Sequence, residues 1–196
     1  MTTVDHIHIA IFATGAGSNA KAIIQATLQH KLHYKVALIV TNNPNAGVLQ
    51  VAQEYGIPTC ILNAAALHNA HDYIPQLKQY GIAYIILAGF LLKIPTVLIQ
   101  AYPKRIINIH PALLPKYGGK GMYGHHVHQA VIYNKEAQSG ITIHLVNEVY
   151  DAGLILFQAT CVVTSSDTIA TLADKVHRLE HAHYAGIIDA VITSKV

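Results

Sequence analysis

Residues 6–19 of the chain read HIHIAIFATGAGSN, an apolar run followed directly by small residues. The run over 6–12 is rich in β-branched and apolar side chains and is too short for a helix, so it predicts a buried strand. The glycines behind it interrupt any regular element. Ser18 or Asn19 is a natural N-cap for an amphipathic helix over 20–29. This stretch therefore predicts a strand, a glycine turn and a helix in succession.

The alternation of strand and helix continues through the first half of the chain. Further strands are predicted over 36–40, 59–62, 83–88 and 105–109, and helices over 47–55, 72–80 and 96–102. Strands that alternate with helices at this spacing are joined by right-handed crossovers. Such crossovers make the strands parallel and cover both faces of the sheet.

The pattern changes in the last third of the chain. A helix is predicted over 124–133, followed by strands over 141–146 and 154–163. The seven residues between these strands are too few for a crossover helix, so the two strands are predicted to be antiparallel neighbours. The Ser-Ser-Asp run at 165–167 offers caps for a final helix from 168 to about 191. The predicted fold class is α/β, with a doubly wound, mostly parallel sheet and antiparallel C-terminal strands.

The composition favours one compact domain over residues 1–196. Of these residues, 52% are hydrophobic and 12% are charged, which suits a single buried core and excludes a disordered chain. The 13 Lys and Arg against 10 Asp and Glu leave a formal charge of +3, so a clustered basic face for nucleic acid is not expected. Small molecules are the expected partners, and the chain is expected to be a monomer or a homodimer.

Three further features concern the cellular location. The longest apolar run, 82–92, has 11 residues, whereas roughly 20 are needed to cross a bilayer, so no membrane segment is expected. Asp5 and the lack of a basic N-terminal region argue against a secretory leader. Cys60 and Cys161 lie far apart and lack the spacing of a metal site or a disulfide framework. A cytoplasmic protein is therefore predicted.

The small residues at 15–19 form the first candidate binding site. They allow backbone N–H groups and a helix N-terminus to converge on an anion, and a phosphate would fit there. The spacing matches neither GxxxxGK[ST] nor GxGxxG. A tight corner that needs glycine only for a positive φ angle is the alternative, and the local sequence leaves both open.

The second candidate is Asn108-Ile109-His110-Pro111, at the C-terminal end of a predicted central strand, where open α/β sheets bind ligands. Alternation puts Asn108 and His110 on one face, and Pro111 ends the strand pairing because it has no N–H. An amide donor beside a protonated imidazole could hold the oxyanion of a tetrahedral intermediate, which indicates acyl transfer. A strand-end histidine bonded to a nearby carbonyl is the alternative.

Asp151 lies between the two antiparallel strands and is the third candidate. Its carboxylate could approach the edge that carries His110, orient the imidazole and raise its pKa toward the charged form. The alternative is an ordinary turn aspartate ahead of Gly153.

His125, His126 and His128 form a dense histidine group in a predicted helix. His125 and His128 share a helix face, but His126 diverges from it. No cysteine or carboxylate follows at a spacing that would complete a zinc shell. We therefore expect no metal.

Four motifs stand out when the chain is considered as a whole: Gly17-Ser18-Asn19, Leu87-Ala88-Gly89-Phe90, the segment NIHPALLPKY from Asn108 to Tyr117, and Asp151-Ala152-Gly153. Together they resemble the folate-dependent formyltransferases, in particular the phosphoribosylglycinamide formyltransferases of purine synthesis. The similarity covers essentially the whole chain. It implies a Rossmann-like formyltransferase fold.

The resemblance implies that 10-formyltetrahydrofolate donates a formyl group to the amine of a 5-phosphoribosyl glycinamide, without a metal. Asn108, His110 and Asp151 match the catalytic residues of the family. In that mechanism the amine attacks the formyl carbon, and Asn108 and protonated His110 stabilise the oxyanion. Asp151 holds His110 and assists proton transfer through water.

The resemblance also implies two binding regions. Gly17, Ser18 and Asn19 bind the substrate phosphate, and Glu180 on the final helix lies near the ribose hydroxyls. The folate pocket is formed by two segments and the catalytic residues: Leu91, Leu92, Lys93, Ile94, Asn108, Asn147, Glu148, Val149, Tyr150 and Asp151. Two departures affect the folate tail and loop closure: the chain has no arginine between residues 62 and 73, and its 118–124 segment is longer and richer in glycine than in shorter relatives.

Other functions remain open at the level of the sequence. A formyltransferase for another amine, such as a nucleotide-linked amino sugar, would carry the same catalytic residues. A nicotinamide-dependent oxidoreductase or a non-catalytic nucleotide-binding module would share the doubly wound sheet. The missing third glycine and ribose-binding acid disfavour the oxidoreductase, and Asn108 and His110 at a sheet edge disfavour the bare module.

Overall fold

The structure is a computed structural model that describes residues 6–194. Residues 1–5, on which the prediction about a secretory leader rests, lie outside this range. The described residues form seven strands and seven helices. The strands are β1 (Ile7–Phe12), β2 (Tyr34–Thr41), β3 (Thr59–Ile61), β4 (Ile82–Leu87), β5 (Ile106–His110), β6 (Gln138–Leu145) and β7 (Ile155–Val162). The helices are α1 (Ser18–Gln29), α2 (Val48–Glu54), α3 (Ala64–His68), α4 (Ala70–Gln79), α5 (Thr96–Ala101), α6 (His125–Tyr133) and α7 (Ile169–Thr193).

The seven strands form one sheet in the order β3-β2-β1-β4-β5-β6-β7. The first five are parallel, and the pairs β5–β6 and β6–β7 are antiparallel. The predicted fold class is therefore confirmed, including the antiparallel C-terminal strands. The chain runs from β1 outward to β3 and then returns to β4 on the other side of β1. This reversal creates a switch point beside the C-terminal ends of β1 and β4, where such sheets bind ligands.

Two hydrophobic cores cover the two faces of the sheet. Along β1, Ile9 and Ile11 enter the core that contains buried residues of α1, α2 and α7, whereas Ala10 and Phe12 enter the core that contains residues of α4 and α5. This alternation is the period of a strand that is buried on both sides. The central strands are therefore packed between two cores, and their C-terminal ends lie at one edge of the sheet.

The start of α1 differs from the sequence prediction. Gly17, not Ser18 or Asn19, is the N-cap residue, and no side chain caps the helix. Gly17 has φ of 83°, and a Cβ there would lie 2.8 Å from Cα of Val48. Glycine is therefore required both for the backbone conformation and for the close approach of α2.

The cap of α7 also differs from the prediction. Thr168 is the N-cap and forms a capping box with Thr171. Asp167 instead accepts hydrogen bonds from Nζ of Lys175 at 2.6 Å and from Oγ1 of Thr171 at 2.9 Å. Of the predicted cap residues, Asp167 thus precedes the N-cap and binds side chains in the first turns of α7.

Within residues 6–194, no helix combines the length and the apolar character that crossing a membrane requires.

Candidate active site

A cavity of about 720 Å³ lies at the C-terminal ends of β1, β4 and β5. Its walls come from the turns after β1 and β4, the end of β5, the glycine-rich segment, α6, the loop before β7 and α7. The lining residues are Thr14 to Asn19, Ala88 to Leu91, Asn108 to Pro111, Gly119 to Gly124, His128, Tyr150, Asp151, His177 and Glu180. The predicted phosphate turn and the predicted catalytic residues therefore share one cavity.

A smaller recess of about 60 Å³ adjoins this cavity and shares Phe90, Asn108, Tyr150 and Asp151 with it. It is lined mainly by apolar and loop residues: Leu87, Leu92, Lys93, Ile94, His144, Val146, Asn147 and Val149. Of the residues predicted to form the folate pocket, Leu91 lines only the main cavity and Glu148 lines neither. Nζ of Lys93 lies 5.7 Å from the centre of the Tyr150 ring, so a cation–π contact joins the two predicted walls.

Asn108 is held by a histidine on the neighbouring strand. Its Nδ2 lies 3.0 Å from Nε2 of His144, while Nδ1 of His144 lies 2.9 Å from the Leu145 carbonyl oxygen. The carbonyl can only accept, so Nδ1 of the neutral ring carries the proton and Nε2 accepts from the Asn108 amide. One amide hydrogen of Asn108 is thus engaged, and the other remains to donate to a ligand.

His110 is 4% exposed, so it is buried at the C-terminal end of β5. Its Nε2 donates to the carbonyl oxygen of Tyr117 at 2.7 Å, and its Nδ1 lies 3.6 Å from Oδ2 of Asp151. Burial lowers the pKa of His110, and Asp151 and the Tyr117 carbonyl oppose this only in part. The neutral ring with the proton on Nε2 is therefore favoured. Asp151 does act to raise the pKa of His110, as the sequence suggested, but burial outweighs this effect.

Asp151 lies between two histidine rings. It adopts φ of 52°, its Oδ2 accepts from the Gly119 amide at 2.9 Å, and its Oδ1 lies 3.6 Å from Nε2 of His144. Burial opposes ionisation, but the Gly119 amide, and each histidine ring when it carries a proton toward the carboxylate, lower the pKa of Asp151. An ionised carboxylate in this position favours the charged form of whichever histidine takes up a proton.

The predicted phosphate and ribose residues contact each other at the far side of the cavity. Nδ2 of Asn19 donates to Oε2 of Glu180 at 2.8 Å. Glu180 is 5% exposed, and burial raises its pKa while Asn19 and His177 act in the opposite direction. A buried carboxylate next to the N-terminus of α1 is well suited to accept hydrogen bonds from hydroxyl groups.

The three histidines on α6 differ in their exposure to solvent. His128 lines the main cavity and is 3% exposed, whereas His125 and His126 are exposed. Burial, with His177 and His125 nearby, lowers the pKa of His128 to about 4. In the part of the chain that the structure describes, no group of three or more His, Cys, Asp and Glu side chains is arranged to hold a metal ion.

Three residues that contact the candidate catalytic side chains were not predicted from the sequence: His144, Tyr117 and Gly119. His144 was detectable in principle, because antiparallel pairing of β5 with β6 places it directly opposite Asn108. Tyr117 and Gly119 act through their backbone groups, which leave no signal in the side-chain pattern. Their contributions follow only from the path of the segment after Pro115.

A ligand cavity at the switch point of a doubly wound sheet, lined by Asn, His and Asp side chains, is typical of α/β enzymes that act on small molecules. The chain belongs to the formyl transferase family, whose model matches residues 7–188. The predicted membership of the formyltransferases is confirmed.

Two similar proteins align with most of this chain. The chain is 40% identical over 193 residues to the chloroplastic phosphoribosylglycinamide formyltransferase of Arabidopsis thaliana, spanning 96% of this chain and 66% of the plant protein. It is 33% identical over 187 residues to the phosphoribosylglycinamide formyltransferase of Bacillus subtilis, spanning 93% of each. A crystal structure of phosphoribosylglycinamide formyltransferase from Bacillus halodurans superposes with a TM-score of 0.88 at 33% identity, covering 96% of this chain and 97% of that chain.

Proposed function

We propose that this protein transfers a formyl group from 10-formyltetrahydrofolate to the amine of 5-phosphoribosyl glycinamide, yielding formylglycinamide ribonucleotide and tetrahydrofolate for purine synthesis. The observation that carries the proposal is that Asn108 and Asp151 line both the main cavity and the small recess, with His110 beside them. A donor in the recess and an acceptor in the cavity would meet at these residues. The names of the relatives support the same reaction.

The acceptor occupies the main cavity in this proposal. Its phosphate lies at the N-terminus of α1, where the backbone of Gly17, Ser18 and Asn19 supplies N–H groups. Its ribose hydroxyls donate to Glu180, which Asn19 already holds in place. This arrangement directs the glycinamide amine toward the C-terminal end of β5.

The folate donor extends from the small recess. The segment from Leu91 to Ile94 and the loop from Asn147 to Asp151 form its two walls, with backbone groups contacting the pterin edge. Glu148 lines neither cavity, so we assign it no direct contact. The formyl carbon then lies beside Asn108.

The reaction needs oxyanion stabilisation and movement of one proton. The amine nitrogen attacks the formyl carbon, and the free amide hydrogen of Asn108 donates to the oxygen that gains negative charge. The bond between the formyl carbon and N10 of the folate breaks as the carbonyl re-forms. The proton lost by the amine moves to N10, so no external acid or reductant is consumed.

His110 carries that proton, in our proposal. Its neutral form presents a lone pair on Nδ1, since the Tyr117 carbonyl holds Nε2 in the protonated form. Nδ1 takes up the proton from the amine, and the resulting imidazolium is stabilised by Asp151 at 3.6 Å. His110 then acts as the acid toward N10, directly or through one water.

We propose residues 1–196 as one catalytic domain that acts on small molecules, without metal, nucleic acid or membrane partners, as a monomer or homodimer. A reducing compartment suits the two free cysteines, Cys60 and Cys161. The cytoplasm is such a compartment, although the plant relative is named chloroplastic.

The acceptor is tested by following tetrahydrofolate release in the presence of 10-formyltetrahydrofolate and one amine at a time. We expect saturable turnover with glycinamide ribonucleotide and little with a nucleotide-linked amino sugar, because in our proposal the α1 N-terminus binds one terminal phosphate and Glu180 binds the ribose hydroxyls beside it. Turnover that needs the amino sugar, or that proceeds equally without any amine, would contradict the proposed acceptor.

A further inference from the structure

We propose that the phenol of Tyr117 is a positioning group that fixes the tautomer of His110 from outside the cavity, through Glu136 and Asn134. The proposal rests on the proposed function, because it assigns a role to residues that support the base of that reaction. Tyr117 lines neither cavity. Its effect on catalysis would therefore be indirect.

The backbone of Tyr117 contacts the catalytic histidine. Its carbonyl oxygen accepts the Nε2 hydrogen of His110 at 2.7 Å. Tyr117 has φ of 57°, a left-handed backbone conformation that residues other than glycine adopt only with strain. The surrounding structure must hold this conformation, or the carbonyl would turn away from the imidazole.

The side chain of Tyr117 supplies that support. Its hydroxyl donates to Oε1 of Glu136 at 2.8 Å and accepts from Nδ2 of Asn134 at 2.9 Å. Lys116 and Tyr117 lower the pKa of Glu136, so Glu136 is an ionised acceptor. A hydrogen bond to a charged acceptor is stronger than one between neutral groups. The hydroxyl is thus fixed by a donor and an acceptor at the C-terminal end of α6.

The same short segment holds the second catalytic group. Two residues after Tyr117, the Gly119 amide donates to Oδ2 of Asp151. Between them, a Cβ on Gly118 would lie 2.6 Å from Cδ2 of Leu114 and 3.2 Å from Cβ of Asp151, so glycine permits the close approach. Displacement of Tyr117 would therefore disturb both His110 and Asp151.

Tyr117→Phe is the direct test, because it removes the hydroxyl and keeps the ring. Tyr133→Phe is the matched control, since Tyr133 is 84% exposed on the same helix end. We expect kcat of Tyr117→Phe to fall about tenfold, the scale of one lost positioning hydrogen bond, with KM for both substrates unchanged. Glu136→Gln, which keeps an acceptor without the charge, should lie between Tyr117→Phe and wild type.

A second measurement does not depend on turnover. Long-range ¹H–¹⁵N spectra of the histidine rings should give a single Nε2-protonated tautomer for His110 in wild type and in Tyr133→Phe. A mixture of tautomers is expected in Tyr117→Phe. Identical spectra and identical kcat in Tyr117→Phe and Tyr133→Phe would overturn the proposal. Wild type that shows no formyl transfer, yet differs from Tyr117→Phe in its spectra, would refute the proposed function and leave the positioning role intact.

Discussion

The Nδ2 amide of Asn108 lies 3.0 Å from Nε2 of His144, and the two residues are directly opposite each other in the pairing of β5 with β6. His144 also approaches Asp151 at 3.6 Å. This buried histidine therefore connects two of the three residues to which we assign catalysis. His144 lies on β6, which pairs with a strand on each side, so the pairing of the sheet determines where His144 meets Asn108.

Replacement of His144 should impair turnover more than binding. His144→Leu keeps a similar volume but removes the acceptor that orients the Asn108 amide, so kcat should fall on the order of 10- to 100-fold. The control is His30→Leu, which changes an exposed histidine after α1. Steady-state kinetics would measure kcat and KM of both variants, and thermal unfolding would show that both are folded. Wild-type kcat in a folded His144→Leu variant would contradict the orienting role.

Replacement of Asp151 by Asn should change both the rate and its pH dependence. Asp151 raises the pKa of His110 against the effect of burial, so loss of its charge should lower the pKa of His110 further. If His110 is the base, the acidic limb of the kcat/KM profile moves to lower pH while kcat falls.

Glu148→Gln is the control for Asp151→Asn, because it removes an exposed carboxylate from the same loop. Its profile should match wild type. An unshifted acidic limb in Asp151→Asn, or parallel loss of stability and activity, would count against the electrostatic role of Asp151.

Substitution by alanine should destabilise the glycine turn at Gly17 but not at Gly15. Gly17→Ala introduces a Cβ at positive φ and within 2.8 Å of Val48, so it should destabilise the fold by about 1 to 2 kcal/mol or more. The same change should raise KM for the phosphorylated acceptor. At Gly15 a Cβ would meet nothing within 4 Å, so Gly15→Ala is the control. The free energy of unfolding of both variants is measured by urea unfolding. Equal values for Gly17→Ala and Gly15→Ala would contradict the prediction.

His128 should make the protein less stable in acid. Its pKa is lowered to about 4 in the folded state, against about 6.5 in an unfolded chain. Between these values the unfolded chain binds a proton that the folded protein does not, so the free energy of unfolding falls as pH decreases. The loss attributed to His128 between pH 7 and 4.5 should be on the order of 2 kcal/mol.

The test compares His128→Leu with His126→Leu, a change at an exposed neighbour on α6. Urea unfolding at pH 7 and pH 4.5 should give a smaller pH dependence for His128→Leu than for His126→Leu and wild type. The same pH dependence in all three proteins would show that His128 is not the group responsible.

The strands and most helices could be predicted because apolar side chains at strand and helix periods mark them. β6 begins at Gln138, three residues before the predicted start, because Gln138, Ser139 and Gly140 pair with β7 without an apolar pattern. A Cβ on Gly140 would lie 1.9 Å from the Ala159 carbonyl oxygen, so glycine is needed there for the close pairing. The short helix α3 was not predicted, since five residues carry little periodic signal.

The position of Asn108 and His110 in the cavity could be predicted, because both lie at the C-terminal end of a central strand. The site was not predictable where partners come from distant parts of the chain. Asn19 suits a helix cap by its local sequence, yet it donates to Glu180, 161 positions away. The pKa of His110 depends on burial, which a strand-end position in the sequence does not reveal.

The most direct test of the central claim is to follow the formyl carbon itself. The protein is incubated with glycinamide ribonucleotide and 10-formyltetrahydrofolate labelled with ¹³C in the formyl group, and NMR spectra are recorded during the reaction. The label should move from N10 of the folate to the glycinamide nitrogen, at a rate that falls on the order of 100-fold or more in folded His110→Ala. Release of the label as formate, or an unchanged rate in His110→Ala, would contradict the account.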